Sequence, residues 1–505
     1  MRNPGGRRPR TVCALATLAT TVAVATVAAG AQAAVLPGGG PSGLPRLTAV
    51  GVPYVDDGTG AVDVFFADGR RQRVGPVELG LVPAGTQTWF GSSVATADLD
   101  NDGLTDLVVG AQGNGLGDGE DENSDTWITP PGTDAAPGDS GRAWILLNSA
   151  DGFTADGVVK LEGPNRVGDL LGMSVAVGTR YGSVGHDVWV GAPGLTVAGH
   201  PEAGVLYRFS VTSDATPSLA DTIDQDSPLV PGAAEQDDQF GRYLAPAANG
   251  VVVGVPEESV GTKTRAGAVY RMRTDRTTDH LTQAQVFTQN SRGVPGAAEK
   301  NDEFGSAVAA DLGSGTVAVG APGENLSDGR TDAGLVQLFG TAAGPKDSIV
   351  PAGSLTQASP GVPGSAEAFD RFGAAVAVGP FACSGVTSLA VGVPDEDIGA
   401  NRDTGSVLVT KVPGAKGSCP TKALAQAANL PGAPEPYDLT GERLSVVHGG
   451  STPDRLLIAA PGETGTDGTT GRVLVWQGSK AATSIIRPIA DPHMSFGFAV
   501  AVDTA

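Results

Sequence analysis

The sequence predicts an all-β fold: seven four-stranded blades in a ring, a seven-bladed β-propeller closed by pairing N- and C-terminal strands in one blade. Three observations predict it. A Phe-Gly element and a Gly-Ala-Pro element recur with a spacing of roughly 60 to 80 residues, a periodicity that marks a repeat architecture. Each recurrence holds four short apolar runs, the strand count of a propeller blade. The apolar runs at the two ends of the chain are fragments of one unit and complement each other.

Phe90-Gly91 leads to Gly110-Ala111, Leu171-Gly172 to Gly191-Ala192-Pro193, and Phe240-Gly241 to Gly254-Val255-Pro256. Phe304-Gly305 then leads to Gly320-Ala321-Pro322, Phe372-Gly373 to Gly392-Val393-Pro394, and the degenerate Thr440-Gly441 to Ala459-Ala460-Pro461. A third run opens with glycine, as in Gly204-Val205-Leu206-Tyr207 and Gly471-Arg472-Val473, and a fourth precedes the next Phe-Gly. At the ends, Phe496-Gly497 opens a first strand with nothing after it. Gly51-Val52-Pro53 and the run from Gly60 to Phe66 are a second and third strand with nothing before them. Six internal units and this shared one make seven blades of about 67 residues, and pairing the ends removes the open edge of a linear stack.

The first 33 residues read as an export signal. Arg2, Arg7, Arg8 and Arg10 precede an apolar run from Thr11 to Gly30, and Ala31-Gln32-Ala33 supplies small residues for cleavage. Residues 34–505 are then the expected propeller, secreted and extracellular, and no later segment approaches the roughly 20 apolar residues that span a bilayer. Loss of the signal removes four arginines and no acid, deepening the formal charge from −22 to −26. Such a surface repels phosphates, so nucleic acid and anionic headgroups are poor partners. Cys13 leaves with the signal, and two remaining cysteines in an exported chain favour one disulfide.

Between the first two strands of the first complete unit lies Asp98-Leu99-Asp100-Asn101-Asp102-Gly103-Leu104-Thr105-Asp106. Alternate carboxylates at Asp98, Asp100 and Asp102, a closing one at Asp106 and the carbonyl of Leu104 can surround a hard cation, and Gly103 permits the sharp turn. Oxygen-only donors at this count suit Ca²⁺ rather than zinc or copper. The ion is expected to be structural, because four carboxylates in one hairpin repel each other unless neutralised. The other units lack this set: one offers Asp187 alone, others shrink to Ala247-Ala248-Asn249-Gly250 and Asp311-Leu312-Gly313-Ser314-Gly315.

Phe-Gly and Gly-Ala-Pro strands around Asp-x-Asp-x-Asp-Gly-x-x-Asp resemble the FG-GAP repeat of the integrin α-subunit propeller, in a secreted bacterial form, and that of glycosylphosphatidylinositol-specific phospholipase D. The resemblance implies metal loops joining strands 1 and 2 on one face, with inter-blade and strand 2 to 3 loops forming an opposite face where integrins bind ligands. The chain departs from the family in having one complete metal loop, no inserted von Willebrand-type domain, and no room before Gly51 for a phospholipase domain.

Within this frame Cys383 falls between strands 1 and 2 of its unit and Cys419 between strands 3 and 4, on one face of one blade. A bridge between them closes a loop worth about 3 to 4 kcal/mol in chain entropy. Four connectors, Gln225 to Gly241, Gln289 to Gly305, Gln357 to Gly373 and Gln426 to Gly441, share a pattern. It places acids at Glu235, Glu299, Glu367 and Glu435, at Asp238, Asp302, Asp370 and Asp438, and after each Pro motif at Glu258, Glu324, Glu396 and Glu463. These are expected to bond turn amides and hold blades in register, with a binding face or cation coordination as the other use. The insertion 112–140, rich in acids around Trp127, is either a recognition loop or a solvated excursion.

Nothing linear marks catalysis: His186, His200, His280, His448 and His493 are scattered and no nucleophile elbow occurs. The expected function is a calcium-stabilised binding or adhesion module for an extracellular protein or glycan. An extracellular hydrolase with its site at the propeller mouth is the alternative. Oligomeric state is not legible.

Overall fold

A computed structural model describes residues 47–502 except 114–140, 164–167, 180–184, 276–277, 342–347, 427, 448–453, 466–469, 479–483, 487, 489–496 and 498. The proposed export signal, most of the insertion 112–140, Phe496, His448 and His493 therefore lie outside the described residues. The rest forms seven separate four-stranded antiparallel sheets. Blade 1 pairs the end of the chain, Ala499–Val502, with Leu47–Val52, followed outward by Ala61–Phe66 and Arg71–Val74. Its seam is in register from Thr48 opposite Val502 to Gly51 opposite Ala499. The predicted closure is thus present.

The remaining blades are continuous in sequence. Blade 2 runs from Phe90–Ala97 through Asp106–Ala111 and Arg142–Leu146 to Val158–Leu161, and blade 3 from Ser174–Thr179 to Pro217–Ile223. Blade 4 runs from Tyr243–Ala247 to Leu281–Phe287, blade 5 from Ala307–Ala310 to Ile349–Leu355, blade 6 from Ala375–Cys383 to Lys422–Leu424, and blade 7 from Leu444–Val447 to Ser484–Ile486. Each first strand packs against the first strands of both neighbouring blades, and that of blade 7 against Ala499–Val502, so the first strands line the axis of a closed ring.

The core lies between blades. Among the described residues seven buried clusters occur, one for each adjacent pair, and the pair formed by blades 7 and 1 joins Leu457, Val473 and Val475 to Val50, Val52 and Phe65. A blade cannot bury both faces alone, so each borrows its neighbour's, which is why the repeat must close to be stable. The two motif glycines serve this packing. A Cβ on Gly110 would stand 1.9 Å from the carbonyl oxygen of Gly172, so the Gly-Ala-Pro glycine of one blade receives the Phe-Gly carbonyl of the next. The same contact joins Gly191 to Gly241, Gly254 to Gly305, Gly320 to Gly373 and Gly392 to Gly441. Phe90, Phe240, Phe304 and Phe372 fill the adjacent inter-blade space without exposure.

Candidate metal centre and binding face

The acidic loop leaves the first strand of blade 2 at Ala97 and returns at Asp106, the first residue of the second. Its reversal uses left-handed backbone at Asn101 (φ 60°) and Gly103 (φ 86°), conformations that Asn and Gly tolerate best. Three of the four expected carboxylates meet: one oxygen each of Asp98, Asp100 and Asp106 lie within 4.8 Å of one another. Asp106 is fully buried, and its oxygens accept the amides of Leu99 (2.7 Å) and Asn148 (2.9 Å). Burial pushes its carboxyl up to about 7, the two amides oppose the shift, and the neighbouring Asp100 and Asp102 charges reinforce it. Asp100 is raised too, again chiefly by burial.

Asp98 Oδ2 accepts the Gly103 amide at 3.0 Å, while its Oδ1 is buried with no hydrogen-bond partner. An orphaned carboxylate oxygen facing two further carboxylates fits a cation. Asp102 stands outside the trio, exposed, with Oδ1 accepting the Leu104 amide at 2.7 Å. Leu104 is a partly exposed loop residue beside it.

One contact had no signal in the sequence. His186, at the start of the second strand of blade 3, places Nε2 3.0 Å from the backbone carbonyl of Asp98, 88 residues away. Burial lowers its pKa below the ordinary 6.5, and a carbonyl only accepts, so the ring is neutral with its proton on Nε2. The acidic loop is therefore seated on the next blade.

In blade 6 the expected disulfide is formed: Cys383, ending the first strand, bonds Cys419 in the loop between the third and fourth, with Cα atoms 5.7 Å apart. Of the three repeated sets of acids, the connector aspartates bond turn amides as expected, whereas Glu258, Glu324, Glu396 and Glu463 accept from the side chains of Gln225, Gln289, Gln357 and Gln426 instead. Asp238 accepts the Glu235 amide (2.7 Å), Asp302 that of Glu299 (2.5 Å), Asp370 that of Glu367 (2.5 Å) and Asp438 that of Glu435 (2.7 Å).

The strand 2 to 3 face carries two further features. At the mouth of the ring Arg242 pairs with Glu257 at 2.9 Å, Arg265 with Glu257 and Glu303, Arg371 with Asp395 at 3.6 Å, and Arg443 with Glu442. Arg443 of blade 7 acts on Tyr243 of blade 4, so these groups face one another across the axis. On the same face, at one repeat position of blades 6 and 7, Phe369 and Tyr437 are 59% and 58% exposed. Both hold left-handed backbone (φ 74° and 69°), and their amides donate to the carbonyls of Thr331 and Arg402.

Residues 90–146, which contain the acidic loop and the first three strands of blade 2, match the family model of the FG-GAP repeat. The chain is a seven-bladed β-propeller that carries an FG-GAP repeat in its second blade. No curated protein matches this propeller in sequence. Among solved structures it is similar to a proposed 6-phosphogluconolactonase from Bacteroides fragilis, at 9% identity and a TM-score of 0.46, over 90% of this chain and 96% of that one. Nothing about the activity of this propeller follows from that likeness. Among its described residues, no helix is long and apolar enough to cross a membrane.

Proposed function

We propose that this FG-GAP propeller is an exported, calcium-stabilised binding module that recognises an extracellular glycan or protein through its strand 2 to 3 and inter-blade loops. The observation that carries the reading is the pair Phe369 and Tyr437. Aromatic side chains are normally withdrawn from water, and a non-glycine residue in left-handed backbone carries strain. Each is pinned by a backbone bond, and an exposed, rigidly held aromatic ring is suited to stacking on a sugar or filling a pocket in a protein.

In the acidic loop Asp98, Asp100 and Asp106 would hold Ca²⁺, with Asp102 and the Leu104 carbonyl completing the donors. The ion would neutralise charges that otherwise repel, so its role is to keep blade 2 ordered. The hydrolase reading draws on Asp395 beside the axis, whose carboxyl burial pushes up to about 6. The guanidinium of Arg371 beside it favours an ion pair over proton transfer, so binding is the reading retained.

A screen of glycans and exported proteins, with and without chelator, tests this. Binding is expected, is lost in Phe369→Ala/Tyr437→Ala, and that variant melts as the unaltered protein does. Binding indifferent to both substitutions, or hydrolysis without stable binding, overturns the proposal.

A further inference from the structure

In an antiparallel blade the turns joining strands 1 to 2 and 3 to 4 emerge on one side, opposite the strand 2 to 3 loops. On that side blades 6 and 7 are basic, although the chain as a whole is acidic. Lys411 ends the third strand of blade 6, Lys416 lies in the loop that follows, and Lys422 opens the fourth strand. They are three of the eight lysines of the chain, and no acid occurs from Phe372 to Pro394 or from Thr404 to Pro434. Arg455 opens the second strand of blade 7 on the same side, opposite Val447. Lys422 crosses the blade boundary to this region. Its Nζ lies 5.6 Å from the ring centre of Trp476, which pairs with Leu456, the residue after Arg455.

Among the described residues these four cations meet no carboxylate at ion-pair distance, whereas Arg70, Lys160 and Arg330 are each paired with an acid two residues away. Lys411 Nζ donates to the Gly417 carbonyl at 3.2 Å and Lys422 Nζ to the Gly478 carbonyl at 3.4 Å, while Lys416 is exposed. Partial burial lowers the pKa of Arg455, and no charged group offsets it. The neighbouring acid, Asp454, is itself buried. The loop that carries Lys416 is held in place. Cys419 is bonded to Cys383, Val412 is buried, and the Ala415 amide donates to the Val412 carbonyl at 3.0 Å. Charges on a fixed loop lose little freedom when a partner binds.

We propose that this patch docks an anionic polysaccharide outside the cell, with Lys411, Lys416, Lys422 and Arg455 meeting successive acidic groups along it. The make-up of the patch favours such a polymer over a protein. Protein interfaces centre on aromatic anchors and are poor in lysine, and among the described residues no large apolar side chain is exposed on this side of blades 6 and 7. The acidity of the remaining surface confines the contact to the patch. The acidic loop lies in blade 2, on the other side of the ring, and exposed charges are screened from one another beyond about 10 Å at 0.1 M salt. The face that displays Phe369 and Tyr437 stays free, so the polymer would hold the module while that face binds. The proposal shares export with the reading above but none of its binding residues, so either can fail alone.

Affinity electrophoresis of the full chain through gels containing polygalacturonate, with uncharged dextran as the reference, tests it. Retardation by polygalacturonate alone is expected, and added salt should abolish it. Lys411→Gln/Lys416→Gln/Lys422→Gln is expected to weaken binding about tenfold. Lys160→Gln/Lys263→Gln/Lys300→Gln, which removes the same charge elsewhere, and Phe369→Ala/Tyr437→Ala should both bind as the unaltered chain does. Circular dichroism checks that each variant is folded. Absence of retardation, or an equal loss in both lysine variants, overturns the proposal and leaves the reading of the opposite face intact. Equal retardation by duplex DNA would make the patch a general anion contact, and overturns it as well.

Discussion

The Nε2 atom of His186 lies 3.0 Å from the carbonyl oxygen of Asp98, and this bond ties the acidic loop of blade 2 to the edge of blade 3. A buried neutral donor of this kind contributes about 1 kcal/mol, and its removal leaves a buried carbonyl unsatisfied. His186→Ala is expected to destabilise the fold by about 1 to 2 kcal/mol and to weaken calcium binding about tenfold, as loss of an outer-shell contact does. Urea unfolding and a calcium titration measure the two effects. Unchanged calcium affinity would show that the loop keeps its shape unaided.

Arg208 is a fully buried guanidinium held by Asp187 at 2.7 Å, Asp221 at 2.6 Å and Asp279 at 3.1 Å, the last contributed from the blade 4 side. Truncating it strands carboxylates in a low-dielectric site, so Arg208→Ala is expected to cost about 3 to 5 kcal/mol. Denaturant midpoints report the loss. A cost below about 1 kcal/mol would place the cluster with ordinary surface ion pairs.

Cys383 and Cys419 close a segment of 36 residues in the blade whose outermost strand, Lys422–Leu424, has three. The Cys383→Ser/Cys419→Ser variant is expected to lose about 3 kcal/mol, mainly through a less constrained unfolded chain. Reductant should lower the melting temperature of the unaltered protein and leave the variant where it is.

Burial pushes Glu258 up to about 8 and Glu324, Glu396 and Glu463 up to about 7 from 4.5. A carboxyl raised in the folded state binds more protons there than in the unfolded chain, so stability falls as pH rises from about 4.5 through the folded value. In chelator the melting temperature is expected to decline between about pH 5 and 8, and Glu324→Gln should flatten that decline. A melting temperature that climbs over this window contradicts the assignment.

Much of the architecture was legible because its determinants are local and repeated. Phe-Gly and Gly-Ala-Pro sit at fixed offsets, and their glycines turn out to be the contact points between successive blades, as Gly110 and Gly172 show. The completion of Leu47–Val52 by Ala499–Val502 followed from counting strands, and the acidic loop from the spacing of its aspartates.

What spacing could not tell is which donors converge. Asp98, Asp100 and Asp106 meet while Asp102 turns to water, because the left-handed backbone at Asn101 and Gly103 decides where each carboxylate points. The chain's own pattern settled how many blades there are, how the ring closes and where the acidic loop lies, since the first two follow from the repeat period and the incomplete units at its ends and the last from near neighbours in sequence. The seat of that loop on His186, the salt cluster of Arg208, the union of Gln289 with Glu324 and the exposure of Phe369 and Tyr437 were decided only by the closed ring. Each depends on how separate segments are set side by side, and that placement comes from packing blade against blade.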